Sequence, residues 1–390
     1  MSAHDQYFQK LQTTLLADGV CAPTLVIDQD RLLHNMTLVR DFAELSGHQL
    51  RVVEKSLPCA DLLALVMQHW GSHRLMSFHL PFLLADVKRF PNSDILLGKP
   101  LPVTAAAQFY RDYQAPFNPA KQLHWLVDTP KRLKQYLNLA QQQQLSLQVC
   151  IELDVGLHRG GVDNDTTLFE MLSCIRQHPQ QLSFSGFMGY DAHVAKLPRI
   201  FGTPDQLLAK SLAIYQQRVL FTKQHFADIW PASPVLNTAG SPSYRLHHNN
   251  RLCTELAVGS ALLKPTDFDV PNLLQHQPAL FIATPVLKAP NTLQVPGLPD
   301  LARVQGRRPV FLYGGQWLAD FVSPSDVKPW PIYGRSSNQD VVTVRCKSVL
   351  AVDDLVFLRP TQSEAVLLQF GAIRVVSAGR VVAHWAVYNN

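Results

Sequence analysis

No stretch of this 390-residue chain is apolar over anything near the ~20 residues that a membrane-spanning helix needs. The opening residues, MSAHDQYFQKLQ, hold no apolar core of the kind that directs a chain to export. Cysteine is sparse and unpatterned: Cys21, Cys59, Cys150, Cys174, Cys253 and Cys346 make no CxxC and no short regular spacing. A zinc ribbon and a disulfide framework are thereby disfavoured, and scattered thiols suit a reducing compartment. A cytoplasmic protein with no membrane partner is expected. Charge is scarce too: charged residues make up 17%, the formal net charge is +5, and no long basic run occurs. Nucleic acid is not an expected partner, whereas a small anionic ligand is compatible with this balance.

What is present is a large apolar fraction, 47%, in a chain longer than one hydrophobic core usually serves. Two domains are expected. Between residues 24 and 260 short apolar runs alternate with helical periodicity. The strand candidates are TLVID (24–28), LRVVE (50–54), RLMSF (74–78), DILLG (94–98), LHWLV (123–127), LQVCIELD (147–154), LSFSGFMG (182–189), SPVLN (233–237) and CTELAVG (253–259). RLLHNMTLVRDFAELS, ADLLALVMQHW and TPKRLKQYLNLAQQQQ place apolar residues three and four apart, as helices do. Such alternation predicts an α/β fold with a (β/α)8 TIM barrel over residues 23–264; a doubly wound open sheet is the alternative.

Past residue 265 the helical periodicity stops, and Pro and Val become frequent. TLQVPG, RRPVFLYGG, VVTVRC, DLVFLRP, AVLLQF and RVVSAGRVVAHWAV read as strands of an antiparallel β domain, residues 265–390. Residues 1–22 are expected to pack with that domain.

In a TIM barrel the reacting groups stand at the C-terminal ends of the strands. Lys55 holds such a place in RVVEKSLPC, although most lysines at strand ends merely reach for solvent. The loop DVGLHRGGV offers Asp154, His158 and Arg159, and the next strand runs into Tyr190 and His193. Two late strand ends, NTAGSPS and AVGSA, are built from small residues whose backbone N–H groups can approach an anion, with the hydroxyls of Thr238, Ser241 and Ser243 as further donors. Plain turns would look much the same. Together, a lysine facing a phosphate cup is what pyridoxal phosphate requires: an amine for its aldehyde and an anion site for its phosphate. Arg51 and Arg159 are the cations available to lower the lysine pKa, and strand alternation turns Glu54 away from Lys55. His34, His69, His79, His247 and His248 read as ordinary surface or core histidines.

EKSLPC, ELDVGLHRGGV, GFMGYDAH, NTAGSPS with TELAVGS, and the closing RPTQSEAVLLQFGAIRVVSAGRVVAHWAV follow one another in a familiar order. Nearly the whole chain resembles the D-threonine aldolase/D-serine dehydratase family of pyridoxal-phosphate enzymes, which share the alanine racemase fold. The resemblance implies that Lys55 forms the Schiff base and that Arg159, Tyr190 and His193 belong to the cofactor pocket. It implies a phosphate cup of Thr238, Gly240, Ser241, Gly259 and Ser260. It also implies a small, D-configured β-hydroxy amino acid as substrate and a homodimer in which Tyr313, Asp320 and Glu364 face a cofactor. The cleaved bond would be Cα–Cβ in an aldolase, Cβ–O in a dehydratase and Cα–H in a racemase. A non-catalytic pyridoxal-phosphate carrier and a sugar-phosphate enzyme with a catalytic lysine are the rival roles.

The chain departs from that family at one place. Typical members carry Pro-x-His-x-Cys or Pro-x-His-x-Asp as a metal pair, and here Pro360 is followed by Gln362 and Glu364. Glutamine is a poor zinc ligand. Two alternatives stay open: a divalent metal such as Mg2+ or Mn2+ held through oxygens, or two polar residues in a metal-free pocket.

Overall fold

The computed structural model describes residues 2–388 apart from 115, 293–296, 298–305, 331 and 333. Its first strand, β1 (Thr24–Asp28), is buried along its whole length but does not join the barrel. It pairs antiparallel with β10 (Leu280–Lys288) and parallel with β16 (Ala372–Ser377). The expected barrel boundary at residue 23 is corrected accordingly. One compact unit comprises residues 36–261 and 270–275, and the other residues 1–35, 262–269 and 276–388. A short apolar run carries no mark of which sheet it will enter.

The first of these units contains a closed barrel of eight parallel strands: β2 (Gln49–Val53), β3 (Arg74–Ser77), β4 (Asp94–Leu97), β5 (Leu123–Val127), β6 (Leu147–Glu152), β7 (Leu182–Gly189), β8 (Val235–Thr238) and β9 (Glu255–Val258). Sequence patterns set the helices between them. In Ala60–Trp70, Leu62, Leu63, Val66 and Trp70 form one buried stripe, and Gly71 ends the helix at φ +60°. Pro130–Gln143 starts behind Thr129, whose side chain accepts the Arg132 N–H. The long helix Pro204–His225 opens with a Thr203/Gln206 capping box.

A buried ion network ties the strands together inside. Arg51 of β2 is fully buried and donates to both carboxylate oxygens of Glu255 on β9, at 2.6 and 2.9 Å. It also meets Asp94 of β4 at 2.6 Å and donates to the carbonyls of Leu75 and Asp94. Arg74 and Asn237 complete the hydrogen bonding of Glu255, and His124 faces Asp94 at 3.1 Å. Burial alone would raise the Asp94 carboxyl, but Arg51 and His124 hold it well below the usual carboxylate range.

The other unit is a nine-stranded sheet. Its main path is β13 (Lys328–Pro329), β14 (Gln339–Arg345), β11 (Arg307–Tyr313), β10, β1, β16 and β17 (Arg380–Ala386); β15 (Leu355–Pro360) pairs with β10 and with β12 (Ala319–Ser323). Phe8, Leu11 and Leu15 of the helix Ala3–Ala17 pack with Val26, Phe281 and Phe357 of this sheet. The central strand β10 is not among the strands expected from the sequence, and it contains Pro285, a residue type that usually argues against a strand. It is tolerated next to the register shift between Val286 and Lys288. AVLLQF is not a strand: Ser363–Leu367 forms a short helix. TLQVPG falls outside the described residues except for Thr292 and Gly297. Among the described residues, no helix is long and apolar enough to cross a membrane.

Candidate active site

Strand β2 ends at Val53, and Glu54–Ser56 turns immediately into a single 3-10 turn closed by Leu57 N–H donating to the Glu54 carbonyl at 2.7 Å. Lys55 is therefore delivered at the C-terminal mouth of the barrel, half-buried, with its Nζ 5.3 Å from the Phe78 ring centre. The turn also breaks strand alternation. Glu54, expected from strand alternation to face away from Lys55, is fully buried. Desolvation and the nearby Asp86 carboxyl push its pKa well up, opposed by the charge of Lys55. The other expectation here concerns Arg51. Its charge is paired with Glu255 and Asp94 inside the barrel.

The loop after β6 is a closed structure. Leu153 bridges to Val162, and Asp154 Oδ1 accepts the N–H groups of Gly156 and His158 at 2.9 and 3.0 Å. Gly161, at φ +98°, passes so close to Asp154 that a Cβ would lie 2.6 Å from its nitrogen. His158 is exposed and paired with Asp154 Oδ2 at 2.8 Å, a structural contact. Arg159, next along, lies with Cζ 5.0 Å from the Tyr190 ring centre. Glu152, at the end of β6, is pushed up to about 7 by burial and by Asp128, with Arg159 opposing.

Tyr190 follows β7, and its ring lies against Gly240, where a Cβ would be 2.6 Å from Cε2. His193 packs toward Ser211 of the helix Pro204–His225, Nε2 to Oγ 3.3 Å, and a Cβ on Gly156 would lie 3.2 Å from Nε2. Desolvation lowers its pKa. These contacts tie the loop after β6 to the helix Pro204–His225 through His193.

The two small-residue loops are joined. Ser241 Oγ accepts the N–H of Gly259 at 3.3 Å and of Ala261 at 2.9 Å, the work that an anion oxygen does in a backbone nest. Ser260 Oγ donates to Ser56 Oγ at 2.9 Å, which places the last strand's loop beside the Lys55 turn. A Cβ on Gly259 would lie 2.8 Å from the Val53 carbonyl. Thr238 Oγ1 donates to the Gly189 carbonyl at 3.2 Å. The structure thus gathers Lys55, Ser241, Gly259 and Ser260 on one side, and Arg159, Tyr190 and Gly240 on the other. An amine beside two loops of glycine and serine, whose glycines let the chain approach Tyr190 and Val53 closely, is a residue set that fits a phosphorylated aldehyde cofactor.

Gln362 and Glu364 lie in the other unit. Gln362 Nε2 donates to Asp267 Oδ2 at 2.9 Å, so the amide turns its donor face to a carboxylate. Among the described residues no group of three or more His, Cys, Asp and Glu side chains is arranged to hold a metal. This donor set does not fit zinc. Tyr313 is exposed at the end of β11, and Asp320 accepts from Thr266 at 2.8 Å. Glu54, Glu152 and Asp191 were not singled out from the sequence as site groups. The only signal for Asp191 was its place beside Tyr190 in GFMGYDAH.

Residues 27–267 match the family described as alanine racemase, N-terminal domain. No curated protein matches the chain. Among solved structures, D-threonine aldolase from Filomicrobium marinum is similar at 15% identity, covering 94% of this chain and 97% of its own, with a TM-score of 0.74. D-threo-3-hydroxyaspartate dehydratase from Delftia sp. HT23 has 16% identity, coverage of 95% and 98%, and a TM-score of 0.74. Alanine racemase from Bacillus anthracis, solved with bound L-Ala-P, has 15% identity, coverage of 94% and 97%, and a TM-score of 0.70.

Proposed function

From the premise that this chain belongs to the alanine racemase N-terminal-domain family, we propose that it is a pyridoxal-phosphate enzyme acting on a small, D-configured β-hydroxy amino acid as a lyase. The observation that carries the proposal is the junction of Lys55 with the two small-residue loops, through Ser56–Ser260 and Ser241 to Gly259 and Ala261. Bound there, the cofactor supplies an aldehyde for the amine and a ring that withdraws negative charge from Cα. Lys55 would hold the cofactor through its amine and would serve as the base that moves a proton at Cα. Glu54, directly before Lys55, is held toward its neutral form by burial and by the neighbouring Asp86 carboxyl. Arg159 and Tyr190 pack together and orient the ring face, and the turn at Gly240–Ser243 with Gly259–Ser260 receives the phosphate.

Racemisation is the second reading. It is favoured by one observation: the Gln362 amide is engaged with Asp267 where the resembling family places a metal that acts on the β-hydroxyl. We extend the proposal to a cytoplasmic homodimer; a fully active monomer by light scattering at micromolar concentration would remove the dimer. The test of function is a visible absorption spectrum of the purified protein, followed by turnover of D-threonine, D-threo-3-hydroxyaspartate and D-alanine. A yellow protein whose colour and turnover are lost in Lys55→Ala is expected. A colourless protein overturns the proposal in favour of a sugar-phosphate enzyme. A yellow protein inert toward every amino acid favours a carrier.

A further inference from the structure

A buried chain of hydrogen bonds runs behind the loops that follow β7 and β8, and its direction can be worked out atom by atom. Asn250 Oδ1 accepts the backbone N–H groups of Leu252 and Cys253, at 2.9 and 3.2 Å. Its amide nitrogen must therefore be the atom facing His247 Nδ1 at 2.9 Å. Nδ1 is then the acceptor, so the ring proton sits on Nε2 and is donated to Asp191 Oδ2 at 2.7 Å. The second oxygen, Asp191 Oδ1, accepts Ser243 Oγ–H at 2.6 Å, and Ser243 Oγ accepts the Gly240 N–H at 3.2 Å. Asp191, Ser243, His247 and Asn250 are all buried. A core network of this kind can serve stability alone.

Two features tie it to the site. Asp191 directly follows Tyr190, so one dipeptide grips the same turn twice: the Tyr190 ring lies on Gly240, and the Asp191 carboxylate holds Ser243 and through it the Gly240 N–H. The turn itself carries strain. Ala239 sits at φ +67°, a left-handed conformation that a residue with a Cβ keeps only when its surroundings impose it.

We infer that Asp191 is a positioning residue for phosphate recognition. Acting through Ser243, it holds residues 239–243 in the shape that presents this loop to the phosphate of the cofactor. The inference rests on the pyridoxal-phosphate proposal above.

The test is equilibrium titration of the full chain with pyridoxal phosphate and with pyridoxal, which has the same aldehyde and ring but no phosphate. Visible absorbance reads binding to wild type, Asp191→Asn and Ser243→Ala, with thermal unfolding recorded for each. Both variants are expected to weaken pyridoxal phosphate by about ten-fold or more while leaving pyridoxal and the position of the absorption band unchanged. Equal loss for both aldehydes, or no loss for either, overturns the inference. Should Asp191→Asn fail to fold, Ser243→Ala decides, because it removes one oxygen and leaves the Asp191–His247 pair intact. A wild-type protein that forms an adduct with neither aldehyde overturns the cofactor proposal, and this inference with it.

Discussion

Arg51 and Glu255 close the barrel from inside, Nε to Oε1 at 2.6 Å, across the pairing of its first and last strands. The pairing of Leu50 with Leu256 and Val52 with Val258 fixes which residues emerge together at the mouth. Lys55 lies four residues beyond Arg51, and Gly259 four beyond Glu255. The ion pair thus lies deeper in the barrel, five residues before the point where Ser56 and Ser260 meet. A slip of one residue would turn every β2 side chain to the wrong face and take Lys55 away from the Gly259–Ser260 loop.

Removing the Glu255 carboxylate should therefore cost both stability and function. Glu255→Ala leaves Arg51 buried with Asp94 alone, and breaking a buried pair costs about 3–5 kcal/mol. Asp94 offsets part of this, so the lower end is expected in urea unfolding. The visible band of the holoprotein should weaken in parallel. An unchanged midpoint would show that Asp94 alone balances Arg51.

Gly259 meets Val53 on the other side of the same junction. Gly259→Ala places a methyl 2.8 Å from the Val53 carbonyl and 3.0 Å from Ser56 Cβ, and neither is the free end of a flexible chain. Overpacking of this sort costs about 1–3 kcal/mol. Because the displaced strand end carries Lys55, cofactor affinity should fall along with the melting temperature. A variant that melts lower yet binds pyridoxal phosphate as wild type would separate the junction from the site.

The barrel was legible because period and length agree strand by strand: LHWLV and LSFSGFMG coincide with β5 and β7, and ADLLALVMQHW with its helix. TLVID was equally visible as a strand, but nothing within its five residues states that it joins the other sheet. Lys55, Arg159 and Tyr190 were legible as strand-end residues. Their supporting groups were not. Asp191 and His247 are 56 residues apart, and Arg51 finds Glu255 204 residues away. Such partners become visible only once the fold has set the distances.

Glu152 supplies a pH signature. Its folded pKa, about 7, stands above the ordinary 4.5 because burial and Asp128 disfavour the charged form. A carboxyl raised in this way stabilises the fold while protonated. Its contribution is complete below about 4.5 and is lost as pH rises through about 7, with a ceiling of about 3 kcal/mol. Glu152→Gln should therefore melt higher than wild type at pH 8, and the two should converge near pH 5. Equal melting temperatures across that range would mean that Arg159 fully neutralises the carboxylate.

The pair Gln362 and Glu364 bears on which reaction the site performs. An imidazole at the first of these positions would offer zinc a strong nitrogen donor; the amide offers only its oxygen. Its nitrogen is already donating to Asp267, which fixes the amide's orientation. Without a strong Lewis acid, a β-hydroxyl must be activated by hydrogen bonds alone, which stabilise developing charge less than a divalent ion does. Activity that survives EDTA, and purified protein with little or no zinc by elemental analysis, are the expected outcomes. Gln362→His should bring measurable zinc binding if Glu364 can serve as the second ligand. Stoichiometric zinc in the wild-type protein, or activity lost to EDTA and restored by zinc, would place the ligands elsewhere and favour the lyase over the racemase.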